Sequence, residues 1–199
     1  MLLDIDTGGG GFLLSLEHPY KNTAATENYP PNVELCKEKL LPLGISFCQA
    51  DGGGKLPFDD NSFDIVINRH GSFNPIEIFR VLKKSGIFIT QQVGAENDRE
   101  LVELLCCKLP PPFPNQYAQK VSDDFKNAGF KILQQEECFC PIRFFDLGAL
   151  TWFARVLPWE FPNFSVDNNM ENLINAQKIL ENKGYIEGKT HRFFILAQK

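Results

Sequence analysis

Basic runs are missing from this chain. Its 20 Lys and Arg are outnumbered by 25 Asp and Glu, and the formal net charge of −5 argues against broad contact with nucleic-acid phosphates, which needs a basic face. Long apolar runs are missing too. No window reaches the ~18 consecutive apolar residues of a membrane span, so no membrane association is expected. The start lacks the basic and apolar regions of a signal peptide, because Asp4 and Asp6 follow Met1-Leu2-Leu3 at once. A cytoplasmic location is the expectation. Histidine is scarce, with 3 copies, and the 6 cysteines (Cys36, Cys48, Cys106, Cys107, Cys138 and Cys140) form no C-x-x-C pair. No metal site is expected, and the thiols read as reduced and structural. What is abundant is phenylalanine, 18 copies against 4 Tyr and 2 Trp, which points to an apolar core or an apolar pocket.

Short apolar runs alternate with helical stretches, the pattern of a parallel α/β sheet. Strands are predicted at residues 2–5, 23–26 (ending at Glu27), 45–50 (ending at Asp51), 63–68, 87–93, 130–138 and 191–198. Ile65-Val66-Ile67 is a continuous apolar run, as in a strand buried on both faces. Helices are predicted at 12–16, 32–41, 98–107 and 117–128. One more opens at Asn74, with Pro75 in its first turn and Glu77 three residues past the cap, and is stopped by Gly86. Pro110, Pro111, Pro112 and Pro114 make a stiff loop. Residues 139–190 read as a helical insertion, with an aromatic helix near 146–157 and a more polar one near 169–183. The length of 199 residues suits one domain, 1–199, that contains this insertion.

The segment that carries chemistry is Leu2-Leu3-Asp4-Ile5-Asp6-Thr7-Gly8-Gly9-Gly10-Gly11. A strand running into a glycine bend and then a helix lets backbone approach a ligand closely at the carboxyl edge of a sheet. A phosphate-binding loop would need G-x-x-x-x-G-K-[ST], and no Gly-Lys-Ser/Thr is present. A dinucleotide fingerprint needs a small closing residue, where this chain has Leu13 or Leu14. There remain an acid, a glycine bend, and a second acid, Glu27, 19 residues past Gly8. At the end of the second strand, its carboxylate can accept both hydroxyls of a ribose.

On these residues the chain resembles the class I S-adenosylmethionine-dependent methyltransferases. Their D/E-x-G-x-G-x-G motif maps onto Asp4, Asp6, Gly8 and Gly10. Glu27 matches the ribose-binding acid, and Asp51 the acid that approaches the adenine amino group. Leu56-Pro57-Phe58-Asp59-Asp60-Asn61-Ser62-Phe63-Asp64-Ile65-Val66 is similar to the family's L-P-F-x-D-x-S-F-D-x-V segment. Residues 77–86 are similar to its E-x-x-R-V-L-K-P-G-G segment. The resemblance implies a Rossmann-like, doubly wound, seven-stranded α/β sheet of order 3-2-1-4-5-7-6, with its last strand antiparallel. It implies S-adenosyl-L-methionine as cofactor, held by Asp4, Asp6, Gly8, Gly10, Glu27, Asn28, Asp51 and Asn68. It also implies methyl transfer to a small-molecule acceptor, entering over the ends of strands four and five beneath the insertion.

Two departures accompany it. Asp6 stands at the motif's first glycine position and is expected to weaken cofactor binding without abolishing it. The family also has a helical segment before its first strand, whereas this chain opens almost inside that strand; the expectation is weak cofactor affinity, improved by upstream residues. His70, in Asn68-Arg69-His70-Gly71, is the general-base candidate, with a pocket-shaping loop histidine as the alternative. Arg69 could hold an anionic acceptor or simply be solvated. Gln91 and Gln92 could touch the acceptor by position. Phe144, Phe145, Trp152, Phe153, Trp159, Phe161 and Phe164 could line a pocket for an apolar or cationic acceptor, Trp152 foremost, or pack the insertion against the sheet. His18 and His191 read as structural. The D/N-P-P-Y/F/W signature of base-amine methylation is absent, since Arg follows Asn68. A cofactor-binding protein without catalysis and a nicotinamide-dependent oxidoreductase are the competing readings. Asp6 and the short start favour the former, while Leu13 and Leu14 count against the latter.

Overall fold

β1 (Leu2–Ile5) is buried along its whole length because it lies between two parallel neighbours, β2 (Thr23–Glu27) and β4 (Phe63–Arg69). β3 (Ser46–Gln49) pairs with β2, and β5 (Leu82–Val93) with β4, again parallel. β6 (Lys131–Phe144) and β7 (Ile186–Gln198) complete a seven-stranded sheet of order β3-β2-β1-β4-β5-β7-β6, the order implied by the resemblance. β7 runs against β5: Ser85 N–H bonds Lys199 O at one end, and Gly94 N–H bonds His191 O at the other. The computed structural model describes all 199 residues. They form two compact units, Met1–Gln92 with Ala118–Glu136 and Phe193–Lys199, and Val93–Tyr117 with Glu137–Arg192. No helix is long and apolar enough to cross a membrane.

In the first unit, side chains alternate across the sheet with the strand period of two. Leu2, Ala25 and Ile67 pack with Leu13 of α1 (Gly11–Ser15) and with Cys36 and Leu40 of α2 (Pro30–Leu40). Leu3, Ile5, Val66 and Phe88 pack with Ile78 of α3 (Pro75–Val81) and with Val121 and Phe125 of a later helix, Ala118–Asn127. Much of the phenylalanine excess lies here. Phe88 stacks on Phe125 with centroids 4.9 Å apart, Phe125 meets Phe130 edge-on at 5.2 Å, and Phe130 meets Phe79 edge-on at 5.2 Å. The second unit has its own core, where Leu101 and Leu105 of α4 (Arg99–Cys106) meet Phe144, Leu150, Phe161 and Leu173. With the Ala118–Asn127 helix as α5, Leu150 lies on α6 (Leu147–Val156) and Leu173 on α7 (Met170–Lys183).

The structure departs from the sequence expectation most at two places, the α3–β5 junction and the ends of the insertion. The helix capped by Asn74 ends at Val81, not at Gly86, and β5 begins at Leu82. Val81 and Leu82 are both fully buried, and Leu82 pairs with Phe63, so sheet pairing takes residues that a helix pattern would also accept. Gly86 instead admits a close backbone approach: a Cβ there would lie 2.8 Å from Lys83 O. The insertion is shorter than 139–190, spanning 145–185, because β6 and β7 continue as a hairpin. Thr190 Oγ1 donates to Cys140 O, and Arg143 pairs with Glu187. Pro141, within β6, is tolerated because β6 is an edge strand with no need for every N–H.

Phe125→Ala removes the centre of the ring cluster. Such a change costs about 3–5 kcal/mol in a packed core and is expected to lower the urea midpoint with an unchanged slope. A loss under about 1 kcal/mol contradicts this packing.

Candidate functional site

The bend after β1 is built from left-handed residues: φ is 55° at Asp6, 64° at Gly8 and 74° at Gly10. Glycine adopts these angles without steric cost, and aspartate is among the few other residues that tolerate them. A Cβ at Gly9 or Gly10 would come within 2.9 Å of Leu35 or Leu40, so the bend sits hard against α2. At Gly8 an added Cβ would meet nothing within 4 Å, which makes this the open side.

Glu27, at the tip of β2, faces that bend. Its Oε2 accepts the Gly8 N–H at 2.8 Å, and its Oε1 accepts the N–H groups of Asn28 at 2.8 Å and Tyr29 at 2.9 Å. Asn32 Nδ2 also donates to Oε2, at a long 3.4 Å. A carboxylate has about four acceptor sites, and this outlying amide is the one a sugar hydroxyl would replace most cheaply. The side chain is only 6% exposed, so its orientation is settled by these bonds.

Other acids gather around the same bend. Asp4 is buried beneath it and accepts the Thr7 hydroxyl at 2.6 Å; burial pushes its carboxyl up to about 6, with the Thr7 bond pulling the other way. Asp6 is raised to about 6, first by burial and then by the charges of Glu27 and Asp51, against the pull of backbone bonds from Ser72 and Gly52. Asp51 is exposed and caps the next glycine turn by accepting the Gly53 N–H at 2.9 Å. These acids feel one another's charge and make a negative pocket that favours a ligand carrying positive charge.

The Asp6 side chain lies between two loops. Its Oδ2 accepts the Ser72 N–H at 2.8 Å. A Cβ at Gly71 would lie 2.4 Å from Asp6 Cβ, and one at Gly52 would lie 3.2 Å from Asp6 Oδ2. Gly52, Gly71 and Ser72 were not singled out from the sequence, although Gly52-Gly53-Gly54 and the glycine after His70 were visible signals.

Asn68 is 2% exposed, and its amide is engaged with protein: Nδ2 donates to Ile5 O at 3.0 Å and to Ser72 O at 3.2 Å, while Oδ1 accepts from Gln92 Nε2 at 2.6 Å. Arg69 places its guanidinium 4.4 Å over the Phe12 ring. Asp4, Asn68, Arg69 and Gln91 share a cavity of about 700 Å³ with Phe12, Ile67 and Ile89. His70 is exposed at φ 62°, held by its N–H to Gln91 O at 3.0 Å. Every site residue named from the sequence except Trp152 lies in the first unit, with Asp4, Asn68 and Arg69 on the cavity wall and His70 outside it. Trp152 belongs to α6 of the second unit and lines a separate cavity. His18 Nδ1 bonds Thr23 Oγ1, whereas His191 is fully buried, with Nδ1 accepting the Glu96 N–H and Nε2 facing Glu137.

Asp6 gives a signed pH dependence. Its pKa in the fold is about 6 against an ordinary 3.8, so the unfolded chain loses this proton first as pH rises. The stabilising contribution is full below about pH 4 and is lost on rising through 6. Asp6→Asn, which keeps an acceptor for Ser72, is expected to flatten the fall of Tm across that window. An unchanged slope would show that Asp6 does not titrate there.

Residues 3–90 match the methyltransferase domain family. Over 98 residues the chain is 35% identical to the phthiotriol/phenolphthiotriol dimycocerosates methyltransferase of Mycobacterium tuberculosis, a match covering 46% of this chain and 36% of that protein. The chain thus spans about a third of the length of the curated relatives it matches. Among solved structures, a proposed methyltransferase of Bacillus halodurans shares the fold with a TM-score of 0.66 at 17% identity, covering 100% of this chain and 91% of that one. A SAM-dependent methyltransferase of Aquifex aeolicus aligns with a TM-score of 0.53 at 17% identity, covering 99% and 80%. The matched segment contains the glycine bend and the acid that faces it: over residues 3–90 the chain is similar to the methyltransferase domain family.

Proposed function

We propose that the chain transfers the methyl group of S-adenosylmethionine to an apolar small-molecule acceptor, acting through residues 1–199 as one functional domain. The observation that carries this reading is Glu27 held 2.8 Å from the Gly8 amide on the open side of the bend. That arrangement fits a ribose gripped by the carboxylate, with the acids Asp4, Asp6 and Asp51 favouring a cationic ligand. When bound, the cofactor supplies an electrophilic methyl group on a sulfonium. The protein's part is alignment and, where the acceptor carries a proton, its removal.

Asp4, Asp6, Gly8, Gly10, Glu27, Asn28 and Asp51 are proposed to bind the cofactor, with Asn68 holding the end of β4 in place through Ile5 and Ser72. Arg69, which lines the 700 Å³ cavity, orients the acceptor, and the adjacent His70, outside that lining, takes its proton. The apolar walls of that cavity, Phe12, Ile67 and Ile89, support an apolar acceptor. The mycobacterial relative, named for lipid-like substrates, supports the same class. A cytoplasmic setting is inferred from 6 free cysteines, which suit a reducing compartment. Asp6 favours a second reading, a cofactor-binding protein without catalysis.

Isothermal titration with S-adenosylmethionine tests the first step. Glu27→Gln is expected to weaken binding at least tenfold, since hydrogen bonds to a charged group are worth about 1.5–3 kcal/mol. Asp6→Gly is expected to tighten it, by removing both a side chain and a left-handed non-glycine residue from the bend. No heat of binding in the wild type would remove the cofactor assignment, and equal affinity in wild type and both variants would remove Glu27 and Asp6 from its site. Incubation with labelled cofactor and an acceptor panel then separates the two readings, because binding with no labelled product in any arm favours the non-catalytic one. With an accepted substrate, His70→Ala should lower kcat about 10²–10⁴-fold at constant cofactor Kd. A loss under tenfold returns His70 to a structural loop role.

A further inference from the structure

We infer that the groove between α6 and α7 binds a long-chain carboxylate, its alkyl chain in the groove and its head group at a cationic rim. The inference concerns the second unit alone and does not depend on methyl transfer.

The sequence builds this groove from two helical stripes. On α6, Leu147, Thr151, Trp152 and Arg155 recur at helical spacing, and on α7 so do Met170, Leu173, Ile174 and Lys178. Val166, from the connecting segment, adds to a cavity of about 680 Å³, within the ~300–1,000 Å³ of small-molecule sites. Its walls are apolar yet open to water: Trp152 is 66% exposed and Ile174 50%, with Met170 and Val166 also exposed. Single apolar side chains on a surface are ordinary, but four that line one groove mark a binding surface. Methionine adds an adaptable wall for a flexible chain.

Charge selects the occupant. Arg155 and Lys178 line the groove and make no ion pair or hydrogen bond within the chain. The one acid lining it, Glu181, accepts from Gln177 Nε2 at 3.0 Å. An apolar trough lined by two cations that make no ion pair, and by one acid already bonded to Gln177, is complementary to an anionic amphiphile. A second copy docked by two-fold symmetry would set this cationic patch against itself. A membrane surface is met by a projecting apolar face rather than a concave one.

The test uses the full chain carrying Trp159→Phe, which leaves Trp152 as the single tryptophan. Its emission is titrated with decanoate, dodecanoate and tetradecanoate, each below its micelle concentration. The expected result is a saturable, one-to-one blue shift whose Kd tightens about tenfold per added pair of methylenes. Ile174→Glu, at an exposed position, is expected to weaken all three probes at least tenfold with an unchanged Tm. Combined Arg155→Gln and Lys178→Gln should weaken dodecanoate about fivefold, lose its salt dependence, and leave 1-dodecanol unchanged. The proposal is overturned by a response that does not saturate, by equal binding in Ile174→Glu, or by equal losses for acid and alcohol. It is equally overturned if the groove responds only to phosphatidylglycerol vesicles, or if light scattering shows a dimer that Ile174→Glu dissociates.

Discussion

The Gly8 N–H held by the Glu27 carboxylate joins the ends of two adjacent parallel strands, and the rest of the first unit is arranged so that this bond can form. β1 must be buried on both faces to bring its end to the right place, which requires Leu3 and Ile5 on one side and Leu2 on the other. The bend must then lie close against α2, where a side chain at Gly9 or Gly10 would have to displace Leu35 or Leu40. What is left outward is a backbone amide with a buried acid beside it. Because Glu27 also receives the amides that open α2, one carboxylate orders the bend and the start of the following helix together.

Asp6 is where this economy is strained. A residue with a side chain occupies a left-handed position that glycine fills without cost, and its carboxyl lies among three other acids. The surroundings compensate through backbone. Ser72 and Gly52 donate to it, and Gly71 leaves the room that its Cβ needs. Asn68 links the same loop to the end of β1, so the β4 exit that carries Arg69 and His70 is braced from two directions. A substitution in the glycine bend is thereby coupled to the end of β4 that carries Arg69 and His70.

The strand cores and the acid–bend pairing were legible in the sequence because both rest on local rules. Ile65-Val66-Ile67 read as a strand and Asn74-Pro75 as a helix start, and each is found as such. The end of that helix was not legible. Val81 and Leu82 suit either a helix or a strand, and the choice fell to the partner, Phe63.

The sequence by itself determined the class of sheet, the residues of the bend and the identity of the acid at the end of the second strand, since spacing and side-chain chemistry are properties of the chain. Tertiary structure alone decided which way those groups face. Asn68 turned inward to brace a loop, Asp6 was threaded between two glycines, and Trp152 was left in the open on a second unit. The reason is physical: a side chain's direction is settled by the polar groups and volumes that distant segments bring to it, and those meet only when the chain is packed.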